Sequence, residues 1–316
     1  MLDLNNRPGG PHLIVTAKTA HKVHFLDAAT LNASTTLDMP GSTHEIALSA
    51  DGRTAYCSVY GGGIFGKNVD PDRHIAVIDL PSRMLTRTID LGGAYAPHGV
   101  MMDAEGALWC TGELAKSVFA LDPESGEAER IEVGTAHWLA ISHKFDKVFV
   151  SIKGNELVVI DRARRAVIGH IKLPQVVEGL AVAPDGETVF ACAQTAAEFY
   201  GIDAASHAIR QTITIEGANG AVRQMRRVRV SPDSKYVVVS SHVDGHAAIY
   251  SADGLRLLAA FATKKAPMGF GFAPDGKHAY ICCHDDAVVC EFELASGRVT
   301  RSFATAAGCE FIVAYR

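Results

Sequence analysis

The stretch PHGVMMDAEGALWCTGELAKSVFALDPESGEAERIEV, residues 97–133, decides the fold. Its four segments HGVMMDA, ALWCTGE, SVFALDP and AERIEV are rich in apolar and β-branched residues and are bounded by Asp, Gly, Pro and Ser. That punctuation predicts four short strands joined by tight turns. The same plan returns along the chain. A turn after an apolar strand reads SADG (49–52), DAEG (103–106), SHKFD (142–146), APDG (183–186), SPDS (231–234) and APDG (273–276). Taken at positions 52, 106, 145, 186, 234 and 276, the steps are 54, 39, 41, 48 and 42 residues. A second marker, a strand ending in an acid, falls at Asp27, Asp79, Asp122, Asp161 and Asp203, then departs to Ser251 and Glu293. Its steps of 52, 43, 39, 42, 48 and 42 run in phase with the first. Four-stranded units of about forty residues, with no long helical stripe, predict an all-β fold, the β-propeller.

The chain ends predict how the ring closes. HLIVTA, KVHFLD and STTLDM near the start match the second to fourth strands of a unit, and CEFIVAYR at the end matches a lone first strand. Six full units plus this composite predict seven four-stranded blades in one domain, residues 1–316, the last blade formed by 1–40 plus 307–316. The two long steps mark insertions at 61–73 and 217–224, each a candidate to cover the channel mouth. Gly61, Gly62 and Gly63 are followed by neither a Lys-Ser/Thr pair nor a helix, which argues against a phosphate-cradling loop.

Composition narrows the partners. The 316 residues are 48% hydrophobic and 21% charged, enough for a globular core. A net charge of −5 offers no basic excess for nucleic acid or an anionic membrane. The run RQMRRVR (223–229) adds no basic patch, because strand alternation sends Arg226 and Arg227 to opposite faces. Seven cysteines, an odd number set mostly in apolar runs, point to a reducing compartment. With no leader pattern in MLDLNNRPGG and no spanning apolar run, the expected location is cytoplasmic. The sequence leaves the oligomeric state open. His143, His246 and His278 fall in turns or outer loops and are expected at the surface.

Aligning the units puts one residue of each at the start of the innermost strand: His44, His98, His137, Glu178, Arg226, Met268 and, in the closing blade, Cys309. The innermost strands surround the propeller axis, so these side chains are expected to converge on one channel mouth. His44, His98, His137 and Glu178 make a plausible ligand set for a divalent metal such as Zn, Fe or Mn. The ends of the next strands, Lys18, Tyr60, Glu113, Lys153, Gln194, His242 and His284, are expected at the same face as an outer ring. Each also reads as a solvated strand end. Functionally, Lys18, Lys153 and Arg226 suit an anionic substrate, with Tyr60 and Glu113 beside them, and His242 or His284 suits proton transfer.

Residues 97–112, 177–193 (VEGLAVAPDGETVFACA) and 267–283 (PMGFGFAPDGKHAYICC) resemble the YVTN-type repeat. They also resemble the repeats of lactonase-like and virginiamycin B lyase-like seven-bladed propellers, and the likeness covers essentially the whole chain. It implies the fold. In the hydrolase and lyase branches it implies an active site at the channel mouth with His, acidic residues and often a divalent metal. The group also includes haem-containing nitrite reductase propellers and non-catalytic binding proteins, so fold does not fix function. The ring of three histidines and one glutamate departs from the lyase pattern and does not match bacterial lactonases closely, so no individual role is carried over. The expectation is a metal-dependent enzyme hydrolysing a small, possibly anionic lactone or ester. Two alternatives stay open: a lyase or isomerase with a His base at the same site, and a non-catalytic binding scaffold.

Overall fold

The computed structural model describes residues 12–64, 67–215 and 224–315. Seven four-stranded antiparallel sheets are arranged as the blades of a propeller, and no helix occurs among the described residues. Blade two holds the strands Pro97–Met102, Leu108–Gly112, Ser117–Leu121 and Ala128–Glu132, in that order from the axis outward. Its second and third strands are buried throughout, whereas the outermost shows a single buried residue, Ile131. Middle strands are apolar on both faces because each blade packs between two others. Val100, Leu108, Cys110 and Phe119 of blade two meet Tyr56, Ile75, Val77 and Ile89 of blade one. On its other face Trp109, Val118 and Ala120 meet Leu139, Ile141 and Val148 of blade three.

Both sequence markers are turn chemistry. In DAEG the Asp103 carboxylate accepts the N–H groups of Glu105 at 3.1 Å and Ala107 at 2.8 Å, while Gly106 takes φ +89°, a region other residues rarely enter. The strand-ending acids do the same for the turn into the outermost strand. Asp27 accepts the N–H groups of Ala29 at 3.0 Å and Thr30 at 2.8 Å.

The ring closes as the chain ends suggested. Cys309–Tyr315 pairs antiparallel with His12–Ala17, completing a sheet with Lys22–Asp27 and Ala33–Asp38. The insertion at 61–73 forms an additional hairpin, Gly61–Ile64 with Lys67–Pro71, between the second and third strands of blade one. Of the second insertion, all but Gln224 lies outside the described residues.

One device recurs next to the axis. Early in most innermost strands the ladder shifts register, as between Thr43 and Ile46. Beside that bulge, the second strand offers a buried hydroxyl, which accepts a bulge N–H of its own blade and donates to a carbonyl of the next. Thr111 Oγ1 accepts the Gly99 N–H at 2.8 Å and donates to the His137 carbonyl at 2.7 Å. Ser58 accepts the Glu45 N–H at 3.1 Å and donates to the His98 carbonyl at 2.6 Å. Ser151 links the Trp138 N–H to the Glu178 carbonyl, both at 3.0 Å. Across the closure, Thr16 links the Phe311 N–H to the His44 carbonyl, again at 3.0 Å each.

All seven cysteines are unpaired and buried, filling space between blades. His246 departs from the surface expectation. It opens the strand His246–Ser251 and is buried, because the preceding turn is short enough to place it inside the sheet. His143 is exposed, and the partly buried His278 bonds Asp275 at 2.6 Å at the start of its strand.

Thr111→Val keeps the shape of the side chain and orphans a buried N–H and a buried C=O, each costing roughly 1–3 kcal/mol. Chemical denaturation should show a destabilisation of that order, whereas Thr88→Val, at an exposed position of an outermost strand, should stay within about 0.5 kcal/mol of the parent.

Candidate active site

At the start of the innermost strands, His44, His98, His137 and Glu178 come together, all buried. Their backbone carbonyls are the four that the Thr16, Ser58, Thr111 and Ser151 hydroxyls hold. The closing blade corrects the alignment by one residue. Ala17 pairs with Cys309 as Val59 pairs with Thr43, so Glu310 occupies the place of His44. Cys309 instead packs with Cys282 and Leu13 between blades. The closing strand has no turn marker after it, so its phase could not be set from the repeat.

A second correction concerns the arginines. Arg226 Nε lies 2.8 Å and Arg227 Nη1 2.7 Å from the same oxygen of Glu178, so the two guanidiniums converge. Alternation fails because these residues stand where other blades carry the bulge.

These side chains form a closed circuit across the channel. Glu310 Oε1 lies 3.3 Å from His44 Nε2, and the His44 ring lies 4.0 Å from that of His98. The His98 ring is 3.9 Å from that of His137, whose Nε2 is 3.3 Å from Glu178 Oε1. Arg227, stacked over Trp138 at 4.5 Å, returns from Glu178 to Glu310 at 3.4 Å.

Burial dominates the protonation states. It drives the imidazoles of His44 and His98 well below the ordinary histidine range, helped at His44 by the cations Lys18 and Arg227. His137 is also lowered by burial, though its bond to Glu178 works against this. Burial works against ionising Glu178, yet Arg226, the bond to His137 and Arg227 overcome it and hold the carboxyl well below the usual range. Glu45 behaves in the opposite way: burial pushes its carboxyl up to about 8, despite Arg227 and Arg229. It carries a proton at neutral pH and sits 3.2 Å from His44 Nδ1. A protonated Glu45 donates to Nδ1, which leaves the Nε2–H of His44 directed at Glu310.

The outer ring divides. Tyr60 and Glu113 are buried, and the Tyr60 hydroxyl donates to Glu113 across blades one and two. The Tyr60 ring stands edge-on to His44 at 5.5 Å and to His98 at 5.3 Å, so this pair walls the imidazoles. Lys18 lies 4.8 Å over Tyr60 and donates to the Gly63 carbonyl at 2.9 Å, bringing the hairpin of blade one to the mouth. Gln194 donates to the second oxygen of Glu178 at 3.0 Å. His284 Nε2 is 3.7 Å from Glu310 Oε2, while its Nδ1 is 3.0 Å from Asp285. It is joined to His44 through Glu310 rather than standing across the mouth from it. His242 is lowered by burial, then by Arg226 and Arg227, and its buried Nδ1 has no hydrogen-bond partner among the described residues. Lys153 is exposed.

A divalent metal can be tested against these donors. His44, Glu45 and His98 each offer a ligand atom, all within 4.8 Å of one another. The buried Nδ1 of His98 has no hydrogen-bond partner among the described residues, and both imidazoles are neutral, as ligation requires. The trio fits a cation only in place of the proton that Glu45 gives to His44 Nδ1, so metal binding must release that proton. Glu178 fits poorly, since guanidiniums and Gln194 take both its oxygens. Glu45, Arg227 and Glu310 are the participants absent from the sequence alignment. Their signal was the small polar residue, Thr16, Ser58, Thr111 or Ser151, two places before each outer-ring position, which marks the bulge.

No known family model and no curated protein sequence matches the chain. Solved structures do. The periplasmic gluconolactonase PpgL of Pseudomonas aeruginosa aligns over 97% of this chain and 99% of its own, with TM-score 0.79 and 16% identity. Hydrazine synthase of Kuenenia stuttgartiensis covers 86% of this chain and 89% of that one, with TM-score 0.71 and 19% identity. The Cps50 (Swd1) β-propeller domain of Myceliophteria thermophila covers 86% and 90%, with TM-score 0.69 and 12% identity. At these identities the likeness is one of fold: a propeller architecture found in a lactonase among other proteins.

The buried groups give the chelator-treated protein a two-sided pH dependence. His44 and His98, lowered from 6.5, lose stability as pH falls below that value, where the unfolded chain takes up protons first. Glu45, raised from 4.5 to about 8, loses stability as pH rises through that window. In thermal melts across pH, Glu45→Gln should therefore gain on the parent from about pH 4.5 to about pH 8, with the difference flat above.

Proposed function

We propose that the protein is a lactonase-like hydrolase that opens a small anionic lactone or ester at this channel mouth. The observation that carries the reading is His242: a partly buried, neutral imidazole with an unpartnered nitrogen, under the field of Arg226, a guanidinium that remains 22% exposed. A neutral imidazole can take a proton from an attacking water, and a guanidinium can hold a carboxylate through two parallel bonds. Lys18 adds a second cation, partly buried and facing Tyr60. Tyr60 and Glu113 position His44 and His98. The protonated His242 then returns its proton to the ring oxygen as that oxygen leaves, and His284 stands at the same mouth beside Glu310. The fold shared with a gluconolactonase supports the substrate class.

His44, Glu45 and His98 would hold a divalent ion, which when bound supplies Lewis-acid polarisation of a carbonyl or water. A lyase with His242 as base would use the same mouth, and the product distinguishes it: hydrolysis in oxygen-18 water labels the new carboxylate, elimination does not.

With glucarolactone as trial substrate, His242→Gln should lower kcat about a hundredfold or more, in the range of a lost general base. Arg226→Gln should raise KM for this anion more than for neutral gluconolactone. Because Arg226 helps depress His242, the acidic limb of the rate profile should lie below pH 6.5 and move up in Arg226→Gln. Turnover unchanged in both variants would leave the scaffold reading. Separately, elemental analysis after reconstitution with Zn or Mn should find about one equivalent. That metal should be lost in His44→Ala and His98→Ala and kept in His137→Gln.

A further inference from the structure

Beyond the circuit, on the side of the turns, the channel widens into a cavity of about 880 Å³. Roughly 300–1,000 Å³ is the range of small-molecule pockets. Its walls are largely apolar, with Met101, Trp138, Phe270, Phe272 and Phe311 among them, and Arg229 stands in that lining. The guanidinium of Arg229 lies 4.9 Å from the Phe311 ring and 5.7 Å from the Trp138 ring. It makes no hydrogen bond to the described residues, and its ion-pair contact is Glu45 Oε2 at 3.9 Å, beyond hydrogen-bond reach. Its neighbour two places earlier, Arg227, is satisfied by Glu178 and Glu310. A cation held between aromatic faces in an apolar chamber, with its donors unused, is arranged for an anionic head carried on an apolar body.

We propose that this cavity is a second ligand site, distinct from the mouth, which takes an amphipathic monocarboxylate with its head on Arg229 and its body against the aromatic wall. A single negative charge suits the site, since Asp233 at the turn disfavours further anionic groups. The polar circuit of His44, His98, His137, Glu178, Arg227 and Glu310 separates the two chambers, so the proposal stands independently of the reaction at the mouth.

Calorimetry on the full chain, with octanoate and octanol as probes, tests it. Trp138 fluorescence is a second readout, since the other tryptophan, Trp109, is buried between blades two and three. Octanoate should bind saturably with a shift in emission, and octanol about tenfold more weakly, as befits the loss of a charge-assisted pair. Arg229→Gln should bring octanoate to the level of octanol. Should that variant fail to fold, Val313→Phe, which fills part of the cavity and leaves Arg229 in place, should weaken both probes. Absence of saturable binding, equal affinity for the two probes, or undiminished octanoate binding in either folded variant would overturn the proposal.

Discussion

The structure depends on a side-chain hydrogen bond that ties one innermost strand to the next around the part of the ring that carries His44, His98, His137 and Glu178. Thr16, Ser58, Thr111 and Ser151 each accept a bulge N–H within their blade and donate to a carbonyl of the neighbouring one. Innermost strands of adjacent blades share no sheet, so their exposed backbone groups near the axis need another partner. The hydroxyls supply it. The cost of leaving these groups unpaired sets both the spacing of the blades and the direction in which residues at the bulge project.

That direction explains the charge distribution. Four carboxylates or arginines and three imidazoles are buried in one layer: Glu178, Glu310, Arg227 and Glu45 with His44, His98 and His137. Buried charges persist where they are paired and hydrogen-bonded, and the circuit through Glu178 and Arg227 meets that condition. Glu45, facing the apolar chamber, meets it less well and keeps its proton instead. The layer divides one channel into two environments. The mouth holds Lys18, Arg226, His242 and His284, while the opposite chamber holds aromatic rings around Arg229.

Much of the ring was legible along the chain because its turns require particular residues. Asp103 and Gly106 cannot be exchanged freely where a carboxylate caps N–H groups and φ is positive, so the period survives in the sequence. His44, His98 and His137 were brought together by that period, each at a fixed distance from its turn. Glu310 was missed because the closing strand has no such turn to count from. Arg227 was missed because alternation is a rule for regular strands, and the register changes at the bulge. His246 lies inside a strand whose start the flanking turn residues did not define.

The sequence by itself therefore determined the number of blades, the strand order within them, the closure of the last from both chain ends, and three imidazoles on neighbouring innermost strands. These follow from local chemistry repeated at a fixed interval. Tertiary structure decided which side chains meet. Glu45 approaches His44 from the adjacent bulge position, Glu310 arrives from the far end of the chain, and Arg227 spans from Glu178 to Glu310. The protonation of Glu45 and the depressed histidines follow from burial, a property of the packed ring that no single repeat contains.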